Sequence, residues 1–151
     1  MEFELKVKIV SPLIKSFQLP KYATAGSAGL DLRACVEEPV KLAINETVAI
    51  PTGIAIQIPT PHMAGFVFAR SGLASKHGIQ LANGVGVIDS DYTGEIICAM
   101  RNTGKEDFVI YPGDRIAQIV FIPIAKANIV LVDQLSPTER GEGGFGSSGL
   151  R

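Results

Sequence analysis

Little in this sequence points outside an ordinary packed domain, and each scarcity excludes something. There are only two cysteines, Cys35 and Cys98, far apart and without a CxxC spacing. Each falls within an apolar stretch and reads as a buried free thiol. Neither sign of charge is in excess: 14 basic residues face 15 acidic ones, net −1. That leaves no basic footprint for a nucleic-acid duplex, although a local pair of arginines can still hold a small anion. The longest apolar run, Ile119 to Ala125, is broken by Pro123 and falls far below the ~20 residues that span a bilayer, so no membrane segment is expected. Glu2, Glu4, Lys6 and Lys8 interrupt the first residues, which is not a signal-peptide pattern, and a cytoplasmic location is expected. Without a secretion signal, the acceptor-like triplet Asn45-Glu46-Thr47 is read as chance. No window sustains a helical period.

What is present is a period of two. Hydrophobic residues make up 46% of 151 residues and charged residues 19%, enough for one packed domain, while 16 glycines and 9 prolines favour short elements and many turns. Phe3, Leu5, Val7 and Ile9 alternate with Glu4, Lys6 and Lys8, as a half-buried strand does. The pattern returns at Leu30/Leu32/Ala34, Ile54/Ile56/Ile58, Phe66/Phe68 and Ile116/Gln118/Val120/Ile122. Further strand-length runs occupy 47–50, 85–88, 95–100, 108–111 and 128–132. Turn signals separate them at Thr52-Gly53, Thr93-Gly94, Thr103-Gly104 and Pro112-Gly113-Asp114. The spacing predicts an all-β domain over residues 1–135, a sandwich or jelly-roll-like β barrel. One short helix is expected from Ser71 as N-cap to Gly78 as C-cap. Residues 136–151 hold five glycines and almost no apolar mass after Leu135, and are expected to form a mobile tail. Its Gly141-x-Gly143-x-x-Gly146 match is no dinucleotide site, because no helix can follow it.

Five strings depart from this binary pattern. In Ala25–Ala34, Leu30 and Leu32 face inward, which puts Asp31 and Arg33 together on the outer face. In Ala69–Gly78, Arg70 leads into Ser71-Gly72 at the helix start, where a guanidinium, a hydroxyl, free amides and a residue without Cβ suit a phosphate. His77 is read as a helix-ending residue. In Ala82–Ile97, residues 85–89 and 95 onward read as the arms of a hairpin in which Val87 faces Ile97 across a small apolar slot. Asp89 ends one arm within reach of a water molecule, Asp91 reads as a turn former, and Tyr92 reads as an edge aromatic or a lid over a sugar ring. In Pro112–Phe121, Gln118 is the polar residue on an apolar face, while Arg115, three residues away, is expected to point to the other side. In Arg140–Gly149, an arginine, glycines, two serines and Phe145 suit a cover over an anionic, ring-bearing ligand.

In this order and spacing the five strings resemble the five motifs of the trimeric dUTPase family, especially its bacterial members; IDSDYTGEI together with a terminal RGEGGFGSSG is a specific combination. The resemblance implies a jelly-roll-like homotrimer with three active sites shared between subunits. It implies hydrolysis of dUTP with Mg²⁺ to dUMP and pyrophosphate, a reaction that limits uracil in DNA and supplies dUMP for thymidylate. It further implies Asp89 as the base that deprotonates the attacking water and Tyr92 as the ring that excludes a 2′-hydroxyl. Asn83 and the main chain of Val87 and Ile88 would pair with uracil opposite Ile97. Arg70, Ser71, Gly72 and Gln118 would hold the triphosphate. Arg140, Phe145, Gly146 and Ser147 would close over the nucleotide, with Phe145 stacked on the base. Asp31 would act near the metal's water shell, the ion itself being held by phosphate oxygens. Two other readings are a dCTP deaminase, whose chemistry calls for a glutamate at the pyrimidine 4-position, and a non-catalytic nucleotide-binding module on the same barrel.

Overall fold

Alternating apolar and polar residues build most of the chain into short antiparallel strands, as the period of two requires. A computed structural model describes residues 2–17 and 19–144. The strands are β1 (Lys6–Ile9), β2 (Leu30–Arg33), β3 (Val40–Leu42), β4 (Thr47–Gln57), β5 (Met63–Ala69), β6 (Ile79–Leu81), β7 (Val85–Ile88), β8 (Glu95–Asn102), β9 (Phe108–Ile110) and β10 (Arg115–Pro123). A 3₁₀ turn at Pro12–Ser16 follows β1, and the helix α1 (Ser71–His77) joins β5 to β6.

Two four-stranded sheets face each other, in the orders β1-β4-β8-β6 and β2-β10-β5-β7, and β3 with β9 closes one end. Their inward rows meet in one core. Ile50, Ile54, Ile96, Cys98 and Met100 come from the first sheet, Leu32, Val67, Ile116 and Ile119 from the second, and Leu42 and Ile110 from the closing pair. Removing each such side chain from water contributes about 1.5–3 kcal/mol. The result is the expected jelly-roll-like β barrel with a single short helix. No helix among the described residues is long and apolar enough to cross a membrane. Both cysteines are buried and free, and burial pushes the Cys98 thiol up to about 12, so it remains protonated.

Several local expectations are corrected. Thr52-Gly53 is not a turn: β4 runs through it with a register shift between Pro51 and Ala55. Gly53 takes φ +72°, and a Cβ there would lie 2.5 Å from Cys35 Sγ, so this glycine serves a bulge. The first strand is shorter than its alternation, and Val7 and Ile9 are exposed in the single chain because β1 is a sheet edge. Residues 128–132 form no strand and lie exposed, since no strand edge of the same chain meets them. The N-cap of α1 is Arg70, one residue earlier than expected, in extended conformation and with no side chain capping the helix. Gly78 closes the helix as expected, at φ +69°. The short strands β3 and β6 carried too few residues to stand out as alternation.

The inward row of β8 runs Ile96, Cys98, Met100 and then Asn102, a fully buried amide. Its Nδ2 donates to Leu42 O at 3.0 Å and to Glu106 O at 2.8 Å, and its Oδ1 accepts from the Gly104 amide at 2.8 Å. Asn102 thereby ties β8 to β3 and to the turn before β9. Asn102→Leu keeps the branched shape but strands all three groups. It is expected to lower stability by about 3 kcal/mol, read as a fall in the urea midpoint of circular dichroism.

Candidate active site

The phosphate-binding expectation rests on β2, β5 and β10, which lie side by side. Leu32 is fully buried, so alternation turns Asp31 outward, where it is opposite Gln118 in the register. In β10, Ile116 and Ala117 are both buried, and the pairing with β2 shifts between Arg115 and Ala117. This bulge inverts the phase of the strand. After it, Ala117 and Ile119 face the core and Gln118, Val120 and Ile122 face outward, which corrects the expectation that Gln118 shares the apolar face of Ile116. The same bulge brings Arg115 back to Asp31 instead of pointing it away.

Asp31 stands between two guanidinium groups. Arg70 Nε lies 3.3 Å from Asp31 Oδ1, and Arg115 Nη1 lies 3.1 Å from Asp31 Oδ2. Arg70 Nη1 also donates to the Arg115 carbonyl at 3.3 Å. The Asp31 side chain is only 19% exposed, so a freely solvated strand face is excluded. Gln118 Nε2 donates to Ala69 O at 3.3 Å. A Cβ on Gly29 would come within 2.8 Å of Gln118 Oε1, so a side chain there would displace the Gln118 amide.

Asp31, Arg70, Ser71, Gly72, Lys76 and Gln118 are among the residues lining an open cavity of about 410 Å³. Space is free around Gly72, where an added Cβ would meet nothing within 4 Å. With Arg70 and Lys76 on its walls and Arg115 behind Asp31, the cavity has a positive balance suited to a polyanion. Lys76 was not singled out from the sequence as a site residue. His77 ends α1 as expected and packs its ring 5.1 Å from that of Phe108.

The hairpin expectation needs correction. β7 pairs with β5, and β8 pairs with β4 and β6, so the two arms belong to opposite sheets. The 89–94 connection is an arch between the sheets. A slot of about 180 Å³ nevertheless opens beneath it, lined by Val87, Ile88, Asp89, Tyr92, Ile96 and Ile97 among others. Val87 and Ile97 remain 58% and 56% exposed. β7 is an edge strand, so the main chain facing away from β5 has no strand partner and can serve a ligand. Tyr92 donates its hydroxyl to Glu95 O at 2.9 Å, and its amide donates to Asp89 O at 3.2 Å. These bonds hold the ring and the carboxylate on one arch. A Cβ on Gly94 would fall 2.6 Å from the Tyr92 hydroxyl. Asn83 is exposed in the turn before β7 and is not among the residues lining the slot.

The phosphate-side cavity and the slot share no lining residue. The described part of the tail, residues 136–144, lines neither. Arg140 donates from Nε to Gly143 O at 2.8 Å, and the hydrogen bonds found among residues 125–144 remain within that segment. Phe145, Gly146 and Ser147 lie outside the described residues.

The dUTPase family profile matches residues 15–149. Deoxyuridine 5'-triphosphate nucleotidohydrolases of Escherichia coli O7:K1 and Shigella boydii serotype 18 are each 52% identical over 147 residues, covering 97% of both chains. Among solved structures, the dUTPase of Staphylococcus bacteriophage 80alpha with dUpNHpp superposes with a TM-score of 0.86 at 28% identity, over 97% of this chain and 99% of that one. A match of this extent in both sequence and architecture leaves one assignment: the chain belongs to the dUTPase family.

Proposed function

We propose that the chain hydrolyses dUTP to dUMP and pyrophosphate in the cytoplasm, at sites assembled between the subunits of a homotrimer. The observation that carries this reading is the pairing of a positively charged cradle with a separate narrow slot whose rim bears a carboxylate. In the family whose relatives are 52% identical, that combination serves a triphosphate and its base.

Arg70, Ser71, Gly72 and Gln118 bind the triphosphate, and Arg140 adds a second guanidinium from the tail. Charge neutralisation and alignment are most of what a phosphoryl reaction asks of a protein. Asp89 takes a proton from water as the oxygen attacks the α-phosphorus; the bond to the bridging oxygen breaks and pyrophosphate leaves. The exposed position of Asp89 on the arch keeps it in reach of that water. The free edge of β7 at Val87 and Ile88, with Asn83 beside it and Ile97 opposite, pairs with uracil. Uracil presents a 4-carbonyl where cytosine presents a 4-amino group, so a fixed donor set separates them. With Val87 and Ile97 flanking the base, the methyl group of thymine is refused on steric grounds. Tyr92, tied to Glu95 O, packs on deoxyribose where a 2′-hydroxyl would need room. Residues 136–151 act as the cover, with Phe145 stacking on the base and Gly146 and Ser147 closing over the phosphates.

Mg²⁺ fits this arrangement as an ion carried by phosphate oxygens and its own waters. Asp31 is the single carboxylate among the residues lining the cradle, and each of its oxygens already faces a guanidinium. It is therefore suited to accept from a hydrated ion and not to replace its ligands. Bound with the nucleotide, the ion neutralises charge on the phosphates.

Two features support the shared site. Cradle and slot lie apart in one chain, and Ile129 and Leu131 are 84% and 93% exposed with no cover from its described residues, an apolar surface of the kind subunits bury.

Pyrophosphate release is expected from dUTP and not from dCTP, dTTP or UTP, and only with Mg²⁺; ammonia from dCTP would instead reveal a deaminase. Asp89→Asn is expected to bind nucleotide with near-native affinity while turnover falls at least a hundredfold, within the range general-base loss produces. Tyr92→Ala is expected to admit UTP. Chains carrying Asp89→Asn and chains ending at Pro137 should each be inactive, yet co-refolding equal amounts should restore about a quarter of the wild-type sites if base and tail come from different subunits. Sites built within one chain would give none.

A further inference from the structure

We infer that Arg115 is a positioning residue for phosphate binding: through Asp31 it keeps the Arg70 guanidinium facing the cradle. The inference rests on reading that cavity as the triphosphate site. Arg70 is held in two ways, by an ion pair between its Nε and Asp31 Oδ1 and by a hydrogen bond from its Nη1 to the Arg115 carbonyl, both at 3.3 Å. Among the described residues its Nη2 has no partner. The Arg115 side chain meanwhile occupies Asp31 Oδ2 at 3.1 Å.

The geometry gives Arg115 a task that its positive charge alone would not. A carboxylate with both oxygens free takes one guanidinium through two parallel hydrogen bonds. While Arg115 holds Oδ2, Asp31 engages Arg70 through one oxygen only, and the outer edge of Arg70 remains for a ligand. Without the Arg115 side chain, Arg70 rotates fully onto Asp31 and its charge is neutralised there. Without Asp31, the Nε of Arg70 loses its ion-pair partner and the guanidinium swings. Both losses act through the same group, so they cannot add independently.

The test is calorimetric binding of inorganic triphosphate to the full-length chain without divalent metal, which removes any contribution of Asp31 to a hydrated ion. Arg115→Met and Asp31→Asn are each expected to weaken binding roughly tenfold, the scale of one charge-assisted hydrogen bond. The double variant should bind no worse than the weaker single one. Arg115→Lys, which can still reach Asp31, should recover most of the affinity, and it replaces Arg115→Met as the informative variant if the latter does not fold. In that case unchanged binding by Arg115→Lys together with weakened binding by Asp31→Asn supports the proposal. A pure charge effect predicts instead that Asp31→Asn tightens binding. That result, native affinity in Arg115→Met, or independent losses in the double variant would overturn the assignment. Pyrophosphate release from dUTP by the wild-type chain is scored separately: its absence would remove the functional reading and leave the triphosphate comparison intact.

Discussion

The arrangement of the cradle depends on one irregularity, the bulge at the start of β10. Two consecutive buried residues, Ile116 and Ala117, cannot both face the core from a regular strand. The extra residue resolves the conflict and sets the phase of everything after it. Core packing thus decides a matter of chemistry: it delivers Gln118 to the cavity and Arg115 to Asp31. Three charged groups from three strand ends then brace one another. Arg70 follows β5, Asp31 lies on β2, and Arg115 begins β10. Bulges commonly re-aim side chains at functional sites, and here the bulge is also required by the core.

The slot has a different logic. β7 and β8 are neighbours in sequence but members of opposite sheets, so the arch between them crosses from the edge strand of one sheet to an inner strand of the other. An arch of this kind leaves an unpaired strand edge beside a narrow gap, whereas a hairpin would have consumed those main-chain groups in pairing. Recognition by main chain suits a base whose hydrogen-bonding edge must be read, because backbone donors and acceptors are fixed by the fold. The Tyr92 hydroxyl, tied to Glu95 O, stiffens the same arch.

Much of this was legible in the residues. Alternation located most of the strands, Gly78 marked the helix end, and four of the five polar or glycine-rich strings supply residues that line the cradle or the slot. What alternation could not convey was which strand pairs with which. The pairs β7–β5 and β8–β4 join segments far apart in sequence, and a local period holds no information about distant partners. The same limit explains why Thr52-Gly53 reads as a turn: a glycine at φ +72° serves a turn and a bulge equally well. Arg115 was set aside for a related reason, since the regular period assigns it to the far face. The adjacent apolar pair at 116–117 was the available sign that the period breaks there.

By itself the sequence determined the class of fold, the single helix, the chemistry-bearing strings and the family, because these follow from residue type, local period and motif order. The tertiary structure decided how those strings meet. It placed β7 at a sheet edge, separated the cradle from the slot, and turned Arg115 onto Asp31. The physical reason is that the core must be filled from both sheets at once, and only long-range packing specifies where a strand shifts register to fill it.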